Sequence, residues 1–245
     1  MQLSRTTEGS GPRAVLLHGF TQTSQAWAPL RQALRRDLTT IAIDLPGHGA
    51  TKGDVPNLWV TADAVAEIGG TATYVGYSMG GRIALHVALA RPALVDQLVI
   101  VGAHPGIDRP AERFQRLVQD KAMAQRVLDI GVDAFIDEWL AQPMFSTLAP
   151  EARGESYRRS NTADGLAQSL RSNGTGSQDA LWDRMRFCDV PTHVVVGEHD
   201  TKFVELGQRI FDTMPNATVH VVAGVGHSVP LEAPEALADL LCVLV

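Results

Sequence analysis

The feature that most constrains this chain is an alternation. Short apolar runs, each closed by Gly, Pro or Asp, take turns with longer stretches of helical periodicity. The runs are AVLLHG (14–19), TTIAIDLPGHG (39–49), TYVGYS (73–78), LVIVGAHPG (98–106), THVVVGEHD (192–200) and TVHVVAGVGH (218–227). They are rich in Val, Ile and Leu with little polar alternation, the pattern of strands covered on both faces. Between them, SQAWAPLRQALRR (24–36), MGGRIALHVALARP (79–92) and LEAPEALADLLCVLV (231–245) carry amphipathic helical spacing. Strands that alternate with helices are joined by crossovers, so the expected class is α/β: a mostly parallel central sheet with right-handed connections, flanked by helices.

The alternation lapses between Ile107 and Phe187, where AERFQRLVQDKAMAQRVL (111–128) and VDAFIDEWLAQ (132–142) read as helices, Pro143 and Pro150 as breakers, and no run reads as a strand. The expected organisation is a core of residues 1–106 and 188–245 with a helical cap, 107–187, inserted between its parts. Such a cap would lie over the C-terminal ends of the strands, where open α/β sheets bind ligands. The stretch from Pro46 to Tyr74 is short and leaves room only for the helix VTADAVAEI (60–68), ended by Gly69 and Gly70.

Composition removes several classes of function. A chain of 245 residues, 45% hydrophobic, can bury a large core without covalent staples. Cys188 and Cys242 stand too far apart for a disulfide framework or a metal-ligand spacing. A net charge of −6 with no basic block argues against nucleic acid as a partner. No apolar run has the length of a signal peptide core or a membrane span, so a soluble, cytoplasmic protein is expected.

The chemistry gathers at the ends of the apolar runs. Gly76-Tyr77-Ser78-Met79-Gly80 follows one run and opens a helical stretch. A serine on a sharp strand-to-helix turn needs small neighbours so that strand and helix can approach, leaving its hydroxyl exposed at the sheet edge as nucleophile or base. The pentapeptide alone is also compatible with an incidental serine in a turn. Asp200, in VVVGEHD, and His227, in VAGVGH, supply the rest in the order Ser, Asp, His that this topology uses. A serine hydroxyl is too weak an acid to act unaided; an imidazole must take its proton, and a carboxylate must hold the imidazole's tautomer. Glu198 and His199 compete for the acid's neighbourhood, but Asp200 lies best beyond the strand. The backbone N–H groups of Phe20, in HGF, and of Met79 are placed to converge on a developing oxyanion. His18 reads as a residue that shapes that loop. Asp44 and His48, in DLPGHG, read as loop-ordering rather than as a second dyad.

HGF, DLPGHG, GYSMGG, GEHD and GH together resemble the α/β-hydrolase fold superfamily over the whole chain. GYSMGGR, GAHPGI (102–107), WLAQPMF (139–145), RRSN (158–161), LRSNGTGSQDALWDRM (170–185) and GEHDTKF (197–203) resemble more closely the MenH family, the 2-succinyl-6-hydroxy-2,4-cyclohexadiene-1-carboxylate synthases of menaquinone biosynthesis. The resemblance implies a lyase that eliminates pyruvate from an enolpyruvyl ether with no cofactor and no metal, the triad serine acting as base. It also implies a small polycarboxylate substrate held by Arg82, Arg116 and Arg159, with Tyr77 and Trp139 at active-site positions.

The residues themselves give uneven support. Arg82 lies four places beyond Ser78 in a helix otherwise reading IALHVALA, a poor place for a cation that only packs, and guanidinium suits carboxylate recognition. Arg116 competes with Arg113 one helical turn earlier, and Trp139 falls at core spacing with Val132, Phe135 and Ile136. Two other functions remain open: a serine hydrolase of esters or carbon–carbon bonds on the same triad, and a non-catalytic small-molecule receptor on this fold. The oligomeric state is not written in the sequence.

Overall fold

The computed structural model describes residues 1–34 and 38–244. In chain order the elements are β1 (Arg5–Glu8), β2 (Arg13–Leu17), α1 (Ala28–Ala33), β3 (Thr39–Ile43), α2 (Leu58–Gly69), β4 (Ala72–Tyr77), α3 (Met79–Ala90) and β5 (Val95–Val101). There follow α4 (Pro110–Leu140), α5 (Glu155–Arg159), α6 (Ala163–Asn173), α7 (Trp182–Met185), β6 (Thr192–Gly197), α8 (Thr201–Thr213), β7 (Ala217–Val222), α9 (Val229–Glu232) and α10 (Pro234–Leu244). The seven strands form one sheet in the order β1-β3-β2-β4-β5-β6-β7, with β1 antiparallel to β3 and every other pairing parallel.

All six apolar runs contain a strand. The seventh, β1, has the sequence RTTE and is exposed along its length, so no apolar pattern marks it. The reading 24–36 divides into a 3-10 turn at Ser24–Trp27, capped by the Thr23 side chain, and the short α1. Its last two residues, Arg35 and Arg36, lie outside the described residues, as does Val245 of the final helical reading. α8 fills the β6–β7 crossover and was not read from the sequence.

Period-two alternation sorts the strand side chains onto two apolar layers. Val15 and Leu17 of β2, Ile41 and Ile43 of β3 and Leu98 and Ile100 of β5 pack with α2, α3 and α8. Ala14, Leu16, Val99 and Val101 pack on the other face with Trp27, Leu30, Leu237 and Leu241. A third apolar cluster, with Phe135, Ile136, Phe145 and Leu166 at its centre, belongs to the stretch between β5 and β6, which carries helices and no strand among the described residues. The two α4 readings are confluent, broken only at Gly131, whose φ of 78° interrupts the helix.

The strand order places the site. From β2 the chain steps outward to β3, then crosses back past β2 to β4. Connections leave in opposite directions on either side of the β2–β4 boundary, and such a switch point opens a crevice at the carboxyl ends of the strands. His18–Phe20 follow β2 there and Ser78 follows β4.

Candidate active site

Ser78 sits on the turn from β4 to α3 at φ 51° and ψ −107°, a conformation an L-residue rarely adopts. Its N–H is fixed by the Val101 carbonyl (2.8 Å) and its carbonyl by the Arg82 N–H (3.1 Å). The neighbouring glycines have a packing reason: a Cβ on Gly80 would run into the Leu17 carbonyl, and one on Gly76 into the Gly80 carbonyl. Backbone strain of this kind costs about 1–3 kcal/mol and persists only where the surroundings over-determine it.

His227 is 3% exposed, and its Nδ1 lies 2.6 Å from Asp200 Oδ2. That bond occupies Nδ1 and leaves Nε2 open. It is buried, has no hydrogen-bond partner, and belongs to a side chain lining the same cavity as Ser78. Asp200 lies three residues beyond β6, at the start of α8. Its competitor Glu198 spends its carboxylate on the Gly224 N–H (2.8 Å), and His199 is exposed. Glu232 was missed by sequence reasoning. Its two carboxylate oxygens accept the Gly226 and Ser228 N–H groups, each at 2.9 Å, and so brace the chain on both sides of His227.

Phe20 and Met79 both line the cavity. Met79 opens α3, where the first amides of a helix have no acceptor within it. The Gly19 carbonyl, in the peptide that carries the Phe20 N–H, is held by the Gln22 N–H (3.1 Å) and by His18 Nδ1 (2.8 Å). His18 Nε2 accepts the Leu45 N–H (3.0 Å), so the ring ties the Phe20 loop to the segment after β3. Burial lowers its pKa to about 4 and that of His48 to about 3, keeping both neutral. Asp44 accepts the Ser24 and Ala50 N–H groups at 2.7 and 2.9 Å, which is loop order rather than catalysis.

The cavity, about 300 Å³, carries three cations in its lining, Arg82, Arg116 and Lys202, and no carboxylate. Arg82 is 7% exposed, and its Nη1 donates to Gln178 Oε1 (3.1 Å). Burial, followed by repulsion from Arg116, lowers its pKa to about 10, so it stays charged at neutral pH. Arg116 Nε donates to Asp120 Oδ1 (2.7 Å), and the fully buried Asp120 also accepts the Gly176 N–H (2.8 Å). Arg113, its competitor, is absent from the lining. Lys202 was not singled out from the sequence, although it stands in the quoted GEHDTKF.

His104 was likewise quoted only within a motif. It accepts the Gly106 N–H on Nδ1 (3.0 Å), and burial first, then Lys202, Arg82 and Arg116, lower its pKa to about 4. A neutral ring that accepts on Nδ1 carries its proton on Nε2. His104 therefore adds a hydrogen-bond donor to the lining.

Trp139 lines the cavity and also packs, its ring edge-on to Phe20 at 5.1 Å between centroids. Two expected contacts are not brought to the cavity wall. Tyr77 is buried behind it, its hydroxyl 3.0 Å from Ser228 Oγ and its ring 5.4 Å from that of His227. Arg159 needs a correction. It faces outward from α5 into a carboxylate cluster, with Asp137 at 2.5 Å, Glu155 at 3.1 Å and Asp133 at 3.5 Å. Arg158 and Arg159 form the last turn of the short helix α5, so the adjacent arginines diverge, and Arg158 is the one that points inward, 1% exposed. Among the described residues, no three His, Cys, Asp or Glu side chains stand close enough to hold a metal ion.

The model of the alpha/beta hydrolase family matches residues 14–240. A Bacillus subtilis (strain 168) protein named "Putative 2-succinyl-6-hydroxy-2,4-cyclohexadiene-1-carboxylate synthase" is 35% identical, covering 94% of this chain and 90% of its own. An Enterobacter sp. (strain 638) protein named 2-succinyl-6-hydroxy-2,4-cyclohexadiene-1-carboxylate synthase is 32% identical, with coverage of 94% and 90%. The chain belongs to the alpha/beta hydrolase family and, within it, to that synthase family. A solved structure of MenH from S. aureus superposes with a TM-score of 0.91 at 28% identity, over 98% of this chain and 97% of the other. Membership in the synthase family fits a cavity whose fixed charges are all positive in a chain whose net charge is −6. No described helix is long and apolar enough to cross a membrane.

Proposed function

We propose that this protein eliminates pyruvate from 2-succinyl-5-enolpyruvyl-6-hydroxy-3-cyclohexene-1-carboxylate to give 2-succinyl-6-hydroxy-2,4-cyclohexadiene-1-carboxylate, with Ser78 as the base. The observation that carries this is the coexistence of an elbow serine and an Asp-paired histidine with a lining of three cations and no carboxylate. A substrate with three carboxylates matches that wall in sign, and fixed guanidinium and ammonium groups bind carboxylates without a cofactor.

The names of substrate and product define the electron flow. The ring C2–H, adjacent to the succinyl carbonyl, loses its proton; its electron pair forms C2=C3, C3=C4 moves to C4=C5, and the C5–O bond breaks. His227 takes the Ser78 proton on Nε2, and the serine oxygen takes the C2 proton. Asp200 keeps the imidazole in the Nδ1–H tautomer and stabilises the imidazolium. Charge that builds on the succinyl carbonyl oxygen is met by the Phe20 and Met79 amides. The departing enolpyruvate recovers the proton from His227 and tautomerises to pyruvate, which restores the serine and the imidazole.

A neutral-ester hydrolase would use the same triad but has no need of the cationic wall. Purified protein supplied with the enolpyruvyl intermediate is expected to release pyruvate at an enzymatic rate, with feeble cleavage of a nitrophenyl ester. Rapid ester cleavage with no pyruvate would reject the lyase reading.

A further inference from the structure

Thr21 follows the Phe20 amide, is fully buried, and has a φ of 67°. A β-branched residue does not rest there unaided. All three of its polar atoms are taken by side chains from elsewhere. The Thr21 N–H donates to His48 Nε2 (3.3 Å), its carbonyl accepts from Asn161 Nδ2 (2.7 Å), and its Oγ1 accepts from Arg158 Nη1. Two of those three side chains come from the α5 segment, in the stretch between β5 and β6.

The α5 side of this junction is itself braced. Asn161 Oδ1 accepts the Gly49 N–H (2.8 Å), and its Nδ2 also donates to the Arg158 carbonyl (2.9 Å). Arg158 Nε donates to the Arg153 carbonyl (2.7 Å). The guanidinium is paired with no carboxylate among the described residues, and its Nη2 is buried without a partner. The guanidinium also lies 5.9 Å from the ring centroids of Phe145 and Tyr157. Even so, a buried cation with no carboxylate and one idle nitrogen is a poor choice for docking alone.

We infer that Arg158 and Asn161 are positioning residues that set the direction of the Phe20 N–H by holding Thr21 in its left-handed conformation. The peptide 19–20 is pinned on its carbonyl side from the core by His18 and Gln22. The peptide plane carries the Phe20 N–H with that carbonyl, and the far end of Phe20 is fixed through Thr21, so the α5 segment holds the loop from the side opposite His18 and Gln22. This assigns a task to the two residues of the R-R-S-N stretch that face inward, and it rests on the reading of Phe20 as an oxyanion donor.

The test separates the two readings. In protein labelled with ¹⁵N-phenylalanine, Asn161→Ala and Arg158→Lys are each expected to shift or broaden the Phe20 amide resonance. In the pyruvate-release assay Asn161→Ala is expected to lower kcat roughly 10- to 100-fold, less than outright loss of a donor, with KM changed under threefold. Glycine takes a positive φ without strain, so Thr21→Gly added to Asn161→Ala is expected to recover much of the lost kcat, which a merely docking role would not permit. A Phe20 amide unmoved in a folded Asn161→Ala protein overturns the inference, as does a change in KM alone. A moved amide with kcat unchanged supports the positioning but overturns Phe20 as an oxyanion donor.

Discussion

The two walls of the cavity are built differently. The core wall offers Ser78, His227, Phe20 and Arg82 from the segments after β2, β4 and β7 and from α3; Arg82 and His227 are buried, Ser78 and Phe20 half-buried, and Ser78 is held in its left-handed conformation by backbone bonds. The cap wall offers Arg116, Gln119, Met123, Trp139 and Asn173 from helix faces; Arg116 and Trp139 are half-exposed and Gln119 is exposed. Phe20 packs against both, touching the core layer beneath α3 and the cap cluster around Phe135. The contrast teaches where each kind of work can be placed. On the proposed reading, proton transfer, which tolerates little displacement, falls to the core wall. Recognition of the proposed polyanionic substrate tolerates more, and would fall to helices whose exposed side chains can adjust. The largest expected effect follows: Ser78→Ala should lower kcat for pyruvate release by roughly 10³-fold while leaving substrate affinity, read by calorimetry, within a fewfold. Retention of turnover would move the chemistry off the core wall.

Arg82 and Arg116 sharpen the contrast, because the same functional group stands on each wall. Arg82 is buried, and its guanidinium donates to the neutral amide of Gln178, which leaves its charge without a carboxylate partner among the described residues. Arg116 is part-neutralised by Asp120 and its side chain is 37% exposed. Arg82→Ala is expected to cut kcat/KM roughly 100-fold or more, the scale of removing one partner from a buried charge pair. Arg116→Ala should cost about tenfold, mostly in KM, because solvent screens it. Equal losses in steady-state kinetics would erase the proposed difference between the walls.

Acid should also act on the walls unequally. All eight histidines lie outside residues 107–187. Four of them, His18, His48, His86 and His104, are held neutral chiefly by burial, with pKa values lowered to about 4, 3, 4 and 4. In the unfolded chain the same groups protonate near pH 6.5. Between those values the unfolded state binds more protons, so stability falls as pH drops from about 6.5 toward 4. Tm followed by calorimetry should decline through that window, and His48→Gln should flatten the decline. Hydrogen exchange at low pH is expected to open the loops after β2 and β3 before the cap cluster.

How much of this could be read in the sequence depended on whether a residue's task is local. Six strands were legible because each is a continuous apolar run covered on both faces. β1 was not, because an exposed edge strand held by backbone bonds needs no apolar side chains. Ser78, Asp200 and His227 were legible because each follows a strand end. Lys202 and His104 were not, because their places in the cavity arise only when distant loops meet; Glu232 was not, because its bonds to the Gly226 and Ser228 amides follow from the fold of one turn and leave no pattern in the sequence. The R-R-S-N stretch shows the limit most clearly. A family motif says that an arginine belongs near the site, but a five-residue helix decides which of two adjacent arginines turns inward.

That choice leads to the smallest expected effect. Arg159 is charge-neutralised by Asp133, Asp137 and Glu155 on the outer face of α5, and those carboxylates hold its pKa above the ordinary arginine value. Exposed pairs of this kind contribute little, about 0–1 kcal/mol in all, because water and salt screen them. Arg159→Ala should therefore leave kcat and KM within threefold and lower Tm by no more than a few degrees. The adjacent Arg158→Lys, a gentler change in charge, should cost more activity. If Arg159→Ala instead raised KM tenfold or more, α5 would have to rotate when ligand binds, exchanging its outer carboxylates for the substrate's. The cap wall would then be a moving part rather than a fixed surface of charge.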